Sequence, residues 1–208
     1  MKDKVYVYVF DTLSDWEISY ITANLHNTSD IKEGAFPLHI VTMGNSNAHV
    51  VSMGGMTILP GITLDQFSFD DAAALILPGG ETWQDPIHEP VLALAKECLA
   101  RGILVGAICG ATIALAGAGM LDHCKHTSND LDHLRQVCPQ YQGAAYYQQQ
   151  PAVTDGYLVT AAGIAPLEFS REIFNKLDIF ADGVVEAWYK LYKTLDVRYF
   201  HKLVELTS

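Results

Sequence analysis

The sequence predicts one doubly wound α/β domain, a mostly parallel sheet sandwiched by helices. Short uncharged runs rich in β-branched and aromatic residues (5–10, 38–43, 73–77, 104–108) read as strands, the first buried on both faces. Stretches of helical period alternate with them, which is the pattern of parallel strands joined by crossovers. The length, 208 residues, suits one core, and 50 % hydrophobic with 18 % charged residues excludes wholesale disorder. No repeat, low-complexity run or linker divides residues 1–208.

Each element has a local reason. After the first strand, Ser14-Asp15-Trp16-Glu17 has the form of a capping box opening a helix through about Asn27. Val50 to Met53 and Met56 to Leu59, parted by Gly54-Gly55, read as a small hairpin. The strand over 73–77 ends in Pro78-Gly79-Gly80. Residues 86–101 carry apolar side chains at 87, 91, 92, 94, 95, 98 and 99, a helical stripe closed by Gly102. The strand over 104–108 leads to a helix opening after Cys109. Further on, a helix over 130–137 and two short strands near 152–154 and 157–160, turned at Asp155-Gly156, are expected. Helices over 166–179 and 184–195 and a shorter one complete the chain, the last of them lying within about 181–206.

Composition excludes several partners. Thirteen Lys and Arg against 24 Asp and Glu give −11, a field that repels nucleic-acid phosphates and anionic lipid. Residues 103–121 are uncharged over a membrane-spanning length, yet Gly106, Gly110, Gly117 and Gly119 fit a strand, turn and helix. Only six apolar residues follow the first four, with no cleavage site after them, so no export signal is expected. Cys98, Cys109, Cys124 and Cys138 form no CxxC pair, which points to the reducing cytoplasm rather than a disulfide scaffold. The histidines at 26, 39, 49, 88, 133 and 201 show no ligand spacing, and neither metal nor cofactor is expected.

Sites in such sheets form at the carboxyl ends of the strands. Ala107-Ile108-Cys109-Gly110-Ala111 has the form of a nucleophile elbow, a sharp strand-to-helix turn that demands small residues two positions either side of the nucleophile. The thiol would stand over the first amides of a helix, whose partial positive charge favours thiolate and lowers its pKa below that of a free thiol. The plain alternative is a buried cysteine serving as a small hydrophobe, the reading preferred for Cys98, Cys124 and Cys138. The amides of Gly80 and Gly110 could together hold an oxyanion. Glu17 has two readings: a carboxyl facing the site, or the closing residue of its capping box.

These pieces resemble the ThiJ/PfpI family of the class I glutamine amidotransferase-like superfamily. Asp15-Trp16-Glu17, Ile76-Leu77-Pro78-Gly79-Gly80, residues 105–111 around Cys109, and residues 154–163 through Leu167-Glu168-Phe169 run in family order with family spacing over about 4–180. The resemblance implies a flavodoxin-like fold, Cys109 as the reactive cysteine, Glu17 as the carboxyl hydrogen-bonded to its sulfur, Gly80 and Gly110 as oxyanion donors, and a homodimer. Members with proteolytic activity carry a histidine directly after the elbow cysteine; here that residue is Gly110. Others place a histidine in the segment matching Thr127-Ser128-Asn129, where this chain offers Asn129. His126 and His123 are the nearby substitutes if the loop folds back, and His126 is the candidate third member of a catalytic set.

The expected function is a cytoplasmic cysteine-dependent enzyme acting on a small carbonyl or amide substrate, amidase- or glyoxalase-like. The alternatives are an oxidative-stress sensor or protective protein that oxidises at Cys109, and an intracellular protease. Val184, Trp188, Leu191 and Leu195 repeat at helical spacing, either as the core face of a terminal helix or as an interface anchor.

Overall fold

Strand β1 (Lys4–Tyr8) is followed by α1 (Asp15–His26), β2 (His39–Gly44), β3 (Val50–Val51), β4 (Thr57–Ile58), β5 (Ile62–Thr63) and β6 (Ala72–Leu77). Then come α2 (Glu89–Ala100), β7 (Leu104–Ile108), α3 (Gly110–Gly117), α4 (Leu131–Val137), β8 (Ala152–Asp155) and β9 (Leu158–Ala161). Helices α5 (Pro166–Leu177), α6 (Val184–Thr194) and α7 (Val197–Leu206) end the chain. This computed structural model describes residues 2–26 and 31–207, so the expected helix end at Asn27 lies outside the described residues.

Seven strands form one sheet in the order β5-β2-β1-β6-β7-β9-β8, and the β3–β4 hairpin stands apart. Every pairing in the large sheet is parallel except β8 with β9. The doubly wound α/β expectation is met. Strands β1, β6 and β7 occupy the middle and are buried along almost their whole length, which is why they read as unbroken apolar runs. Helix α5 lies so close to β7 that a Cβ on Gly106 would stand 2.7 Å from the Ile173 side chain.

The differences from expectation are local. Pairing continues past β1, because Val9 N–H donates to Met43 O, but Phe10 already turns away into the loop. The edge strand β5 was not foreseen; two residues are too few to show a period. The helix expected from residue 86 is split into a 3₁₀ turn, Pro86–His88, and α2 proper, which carries a proline in its first turn. The uncharged stretch over 103–121 divides into β7 and α3, and no helix among the described residues is long and apolar enough to cross a membrane. The α6 stripe also divides. Val184 and Trp188 are buried, with Trp188 packed edge-on to Tyr20 and Phe174, whereas Leu195 is 86 % exposed.

Candidate active site

The parallel strands deliver the ends of β1, β6 and β7 to one edge of the sheet. At the last of these, Cys109 holds φ 58° and ψ −123°, a backbone region that L-residues adopt only at a cost. The turn is tied down from both sides. Cys109 N–H donates to Ala161 O at 3.0 Å, and Cys109 O accepts from the Thr112 amide and from Thr112 Oγ1, the latter at 2.6 Å. Ala107 and Ala111 are completely buried, as the elbow's steric requirement predicts. The elbow is therefore real.

Glu17 does not close a capping box. Its Oε2 accepts from Gly79 N–H at 2.6 Å, while Ser14 N–H donates to Gly79 O at 2.9 Å. The start of α1 is thus clamped to the loop after β6 through both polar groups of one glycine. Glu17 is fully buried, and its Oε1 has no hydrogen-bond partner of its own. Burial pushes its pKa up to about 7, against smaller lowering contributions from the Gly79 amide and the Cys109 and Ser14 side chains.

Two glycines leave room for this pair. A Cβ on Gly163 would lie 2.8 Å from Cys109 Sγ and 3.0 Å from Glu17 Oε1. A Cβ on Gly79 would lie 2.6 Å from Glu17 Oε2 and 2.7 Å from Cys109 Cβ. Asn129 completes the setting: Nδ2 donates to Sγ at 3.3 Å while Oδ1 accepts from Gly163 N–H at 2.8 Å. Trp16 covers the opposite side of that glycine, its Nε1–H donating to Gly163 O at 3.2 Å.

The thiol does not have the lowered pKa expected of it. Burial raises it most, Asn129 lowers it, Glu17 raises it through its charge and its closeness to the sulfur, and the Gly110 amide lowers it. The helix terminus supplies only the last of these. Both Glu17 contributions depend on which of the two groups holds the proton, so thiol and carboxyl titrate as a unit. The other thiols are raised as well. Burial raises Cys98 to about 12 and Cys124 to about 11, and the Cys124 and Cys138 thiols donate to Met120 O and Ile113 O.

Gly80 and Gly110 lie side by side. A Cβ on Gly110 would stand 2.9 Å from Gly80 O, and one on Gly80 would stand 2.5 Å from the Phe10 ring. Among the described residues, neither amide donates to a backbone acceptor outside its own element. The loop carrying Gly80 is braced by residues the sequence reading passed over. Asn45 Nδ2 donates to Tyr8 Oη at 2.6 Å, leaving the Tyr8 hydroxyl to donate to His88 Nδ1 (2.9 Å) and His88 Nε2–H to meet Thr82 Oγ1 (3.0 Å). Trp83 Nε1–H donates to Pro78 O at 2.8 Å. Nothing in the sequence spacing links these residues; three separate segments meet only in the fold.

His126 is not part of the site. It is fully buried, its Nδ1–H donates to Cys124 O at 2.7 Å, and its Nε2 accepts from the Tyr141 hydroxyl at 2.5 Å. Burial lowers its pKa, so it stays neutral. Both ring nitrogens are occupied, and no Cys–His–acid triad forms through it. His123 is exposed and packs edge-on to Tyr146. The side chain that reaches the sulfur from this loop is Asn129.

Comparison with known proteins agrees with this fold. The model of the DJ-1/PfpI family matches residues 3–176. The chain is 47 % identical over 201 residues to YoaZ of Bacillus subtilis (strain 168), described as an uncharacterized protease, covering 97 % of this chain and 96 % of that one. It is 30 % identical over 172 residues to YdeA of the same organism, described likewise, covering 82 % and 81 %. The crystal structure of a ThiJ/PfpI family protein from Bacillus anthracis superposes with a TM-score of 0.93 at 45 % identity, over 99 % of this chain and 97 % of that one.

Proposed function

This chain belongs to the DJ-1/PfpI family, and from that premise we propose that it is an enzyme using Cys109 as nucleophile on a small carbonyl or amide substrate. The observation that carries the reading is the meeting of Cys109 and Glu17 in front of Gly163, with two glycine amides alongside. A carboxyl with a pKa of about 7 is poised to exchange a proton near neutrality. Sulfur attacks the carbonyl carbon as its proton passes to Glu17, and the carbonyl π electrons move to oxygen, facing the Gly80 and Gly110 amides. With an amide, collapse breaks the C–N bond and Glu17 returns the proton to the leaving amine. Water then cleaves the thioester. With an aldehyde, the same attack gives a hemithioacetal.

The names of both relatives extend the reading to peptide amides, where the step is the same. A general protease has less support, because Gly110 follows the cysteine and His126 is sealed away. The redox reading has its own observation: the unpartnered Glu17 Oε1, if protonated, stands ready to donate to an oxygen added on the sulfur. Turnover separates the two. Product released from methylglyoxal, an amide panel or casein, and lost in Cys109→Ala, supports the enzyme. Failure to turn over any of these while Cys109 oxidises readily would favour the sensor. We place the protein in the cytoplasm as a homodimer, and a sedimentation mass near 22.8 kDa at micromolar concentrations would remove the dimer.

A further inference from the structure

A second space opens beside Asn129. A cavity of about 320 Å³ is lined by Ser128, Asn129, Gln150 and Ile164, and farther along by Glu168 and Lys193. One of its walls, Asn129, is shared with the site just described. Asn129 hydrogen-bonds the sulfur, and Ile164 follows Gly163, the residue that faces both Sγ and Glu17. Asn129 is therefore a wall common to the cavity and the thiol.

Its other end is built around an ion pair. Glu168 is 7 % exposed, and its Oε1 accepts from Lys193 Nζ at 2.6 Å and from the Tyr189 hydroxyl at 3.1 Å. The buried carboxylate fixes the position of the ammonium but takes only one of its three protons. The Lys193 side chain keeps 54 % of its surface exposed, and Lys193 is the only cationic residue among those lining the cavity. In a protein of net charge −11, a held ammonium lining a cavity that shares Asn129 with the thiol is a selective feature.

We infer that this cavity is the acyl subsite of the Cys109 centre and that it takes acyl groups ending in a carboxylate, which Lys193 receives. The inference rests on the nucleophilic role proposed above. The remaining lining suits such a chain: Asn129 and the glutamines offer hydrogen bonds along its length, and Ile164 and Ala165 meet its methylenes.

Aryl esters test it directly. The Cys109 sulfur forms a bond to the acyl carbon, the ester C–O bond breaks, and the phenol leaves with the thiol proton. Release of 4-nitrophenol and the mass of the acyl-protein report the same event. Mono-4-nitrophenyl succinate, glutarate and adipate are compared with neutral 4-nitrophenyl esters of equal acyl length. One acidic ester should acylate Cys109 about tenfold faster than its neutral counterpart, with the preference falling as salt rises. Lys193→Arg should keep the preference and Lys193→Met should abolish it, with neutral esters unaffected. Because Lys193→Met leaves Glu168 unpaired, the double variant Lys193→Met/Glu168→Gln guards against a folding defect and should also lack the preference. Equal rates for acidic and neutral esters at every length would overturn the subsite and leave the nucleophile standing. Alkylation of Cys109 by iodoacetamide with no acylation by any ester would overturn the nucleophilic reading, and the subsite with it.

Discussion

Glu17 and His126 are both fully buried titratable groups, yet they are finished differently. His126 has a partner on each ring nitrogen, in Cys124 O and Tyr141 Oη. Glu17 has one oxygen bound to Gly79 N–H and the other left without a hydrogen bond beside the Cys109 sulfur. A buried polar group with every valence satisfied stabilises its surroundings, whereas one left short stores capacity for another atom. The difference marks His126 as structural and supports the role proposed for Glu17, which residue type alone does not do.

Cys109→Ala gives the largest expected change, with turnover and thiol labelling at this position both falling to background by peptide mass spectrometry. If activity persists, the under-satisfied centre is not the reactive one. Gly163→Ala comes next. Its methyl group would stand 2.8 Å from Sγ, and loop and thiol cannot both hold their places, so iodoacetamide labelling of Cys109 should drop by at least about tenfold while the fold survives.

Glu17 offers two readouts. Glu17→Gln keeps a hydrogen-bond donor toward the sulfur, so alkylation should stay within about threefold of the native rate, but it removes the proton acceptor, so amide turnover should fall at least about tenfold. Glu17→Ala should lower both. Stability moves with pH in a definite direction. The folded protein holds the Glu17 proton more tightly, at about 7 against an ordinary 4.5. The associated stability is complete below pH 4.5 and is lost as pH rises through 7. Denaturant midpoints for the native protein should therefore fall between pH 5 and 8 relative to Glu17→Gln, by on the order of 2–3 kcal/mol. Parallel curves would mean that Glu17 is ionised throughout.

His126→Phe should have the smallest effect on chemistry. Leaving Cys124 O and the Tyr141 hydroxyl unpaired should cost about 2 kcal/mol in urea unfolding, while Cys109 alkylation stays within about twofold. A large loss of labelling without loss of stability would return His126 to the site. Together with the Glu17 variants, this measures the two centres on one scale.

The fold was largely legible in the sequence, from the strand runs to the hairpin near Gly54-Gly55, because burial on both faces leaves an unbroken apolar signature. The two-residue strand β5 was not, since so short a segment carries no period. In the site, the elbow at Cys109 and the glycines at 80 and 110 were readable. The bracing by Asn45, Tyr8, His88 and Thr82 was hidden, because its members lie up to 80 residues apart and share no motif.

By itself the sequence determined what depends on neighbours along the chain. Alanines at 107 and 111 permit a sharp turn, and the small residues of α3 let the elbow pack closely against the sheet. Tertiary structure decided which polar groups reach the sulfur. Pairing β7 with β9 brings Gly163 in front of Cys109, the loop before α4 turns Asn129 toward the thiol and His126 away from it, and the clamp at Gly79 draws Glu17 out of its capping box. It also decided the direction of both pKa shifts. Desolvation is the largest cause at Glu17 and at Cys109, and how much water a side chain loses depends on everything folded around it rather than on the residues beside it in sequence.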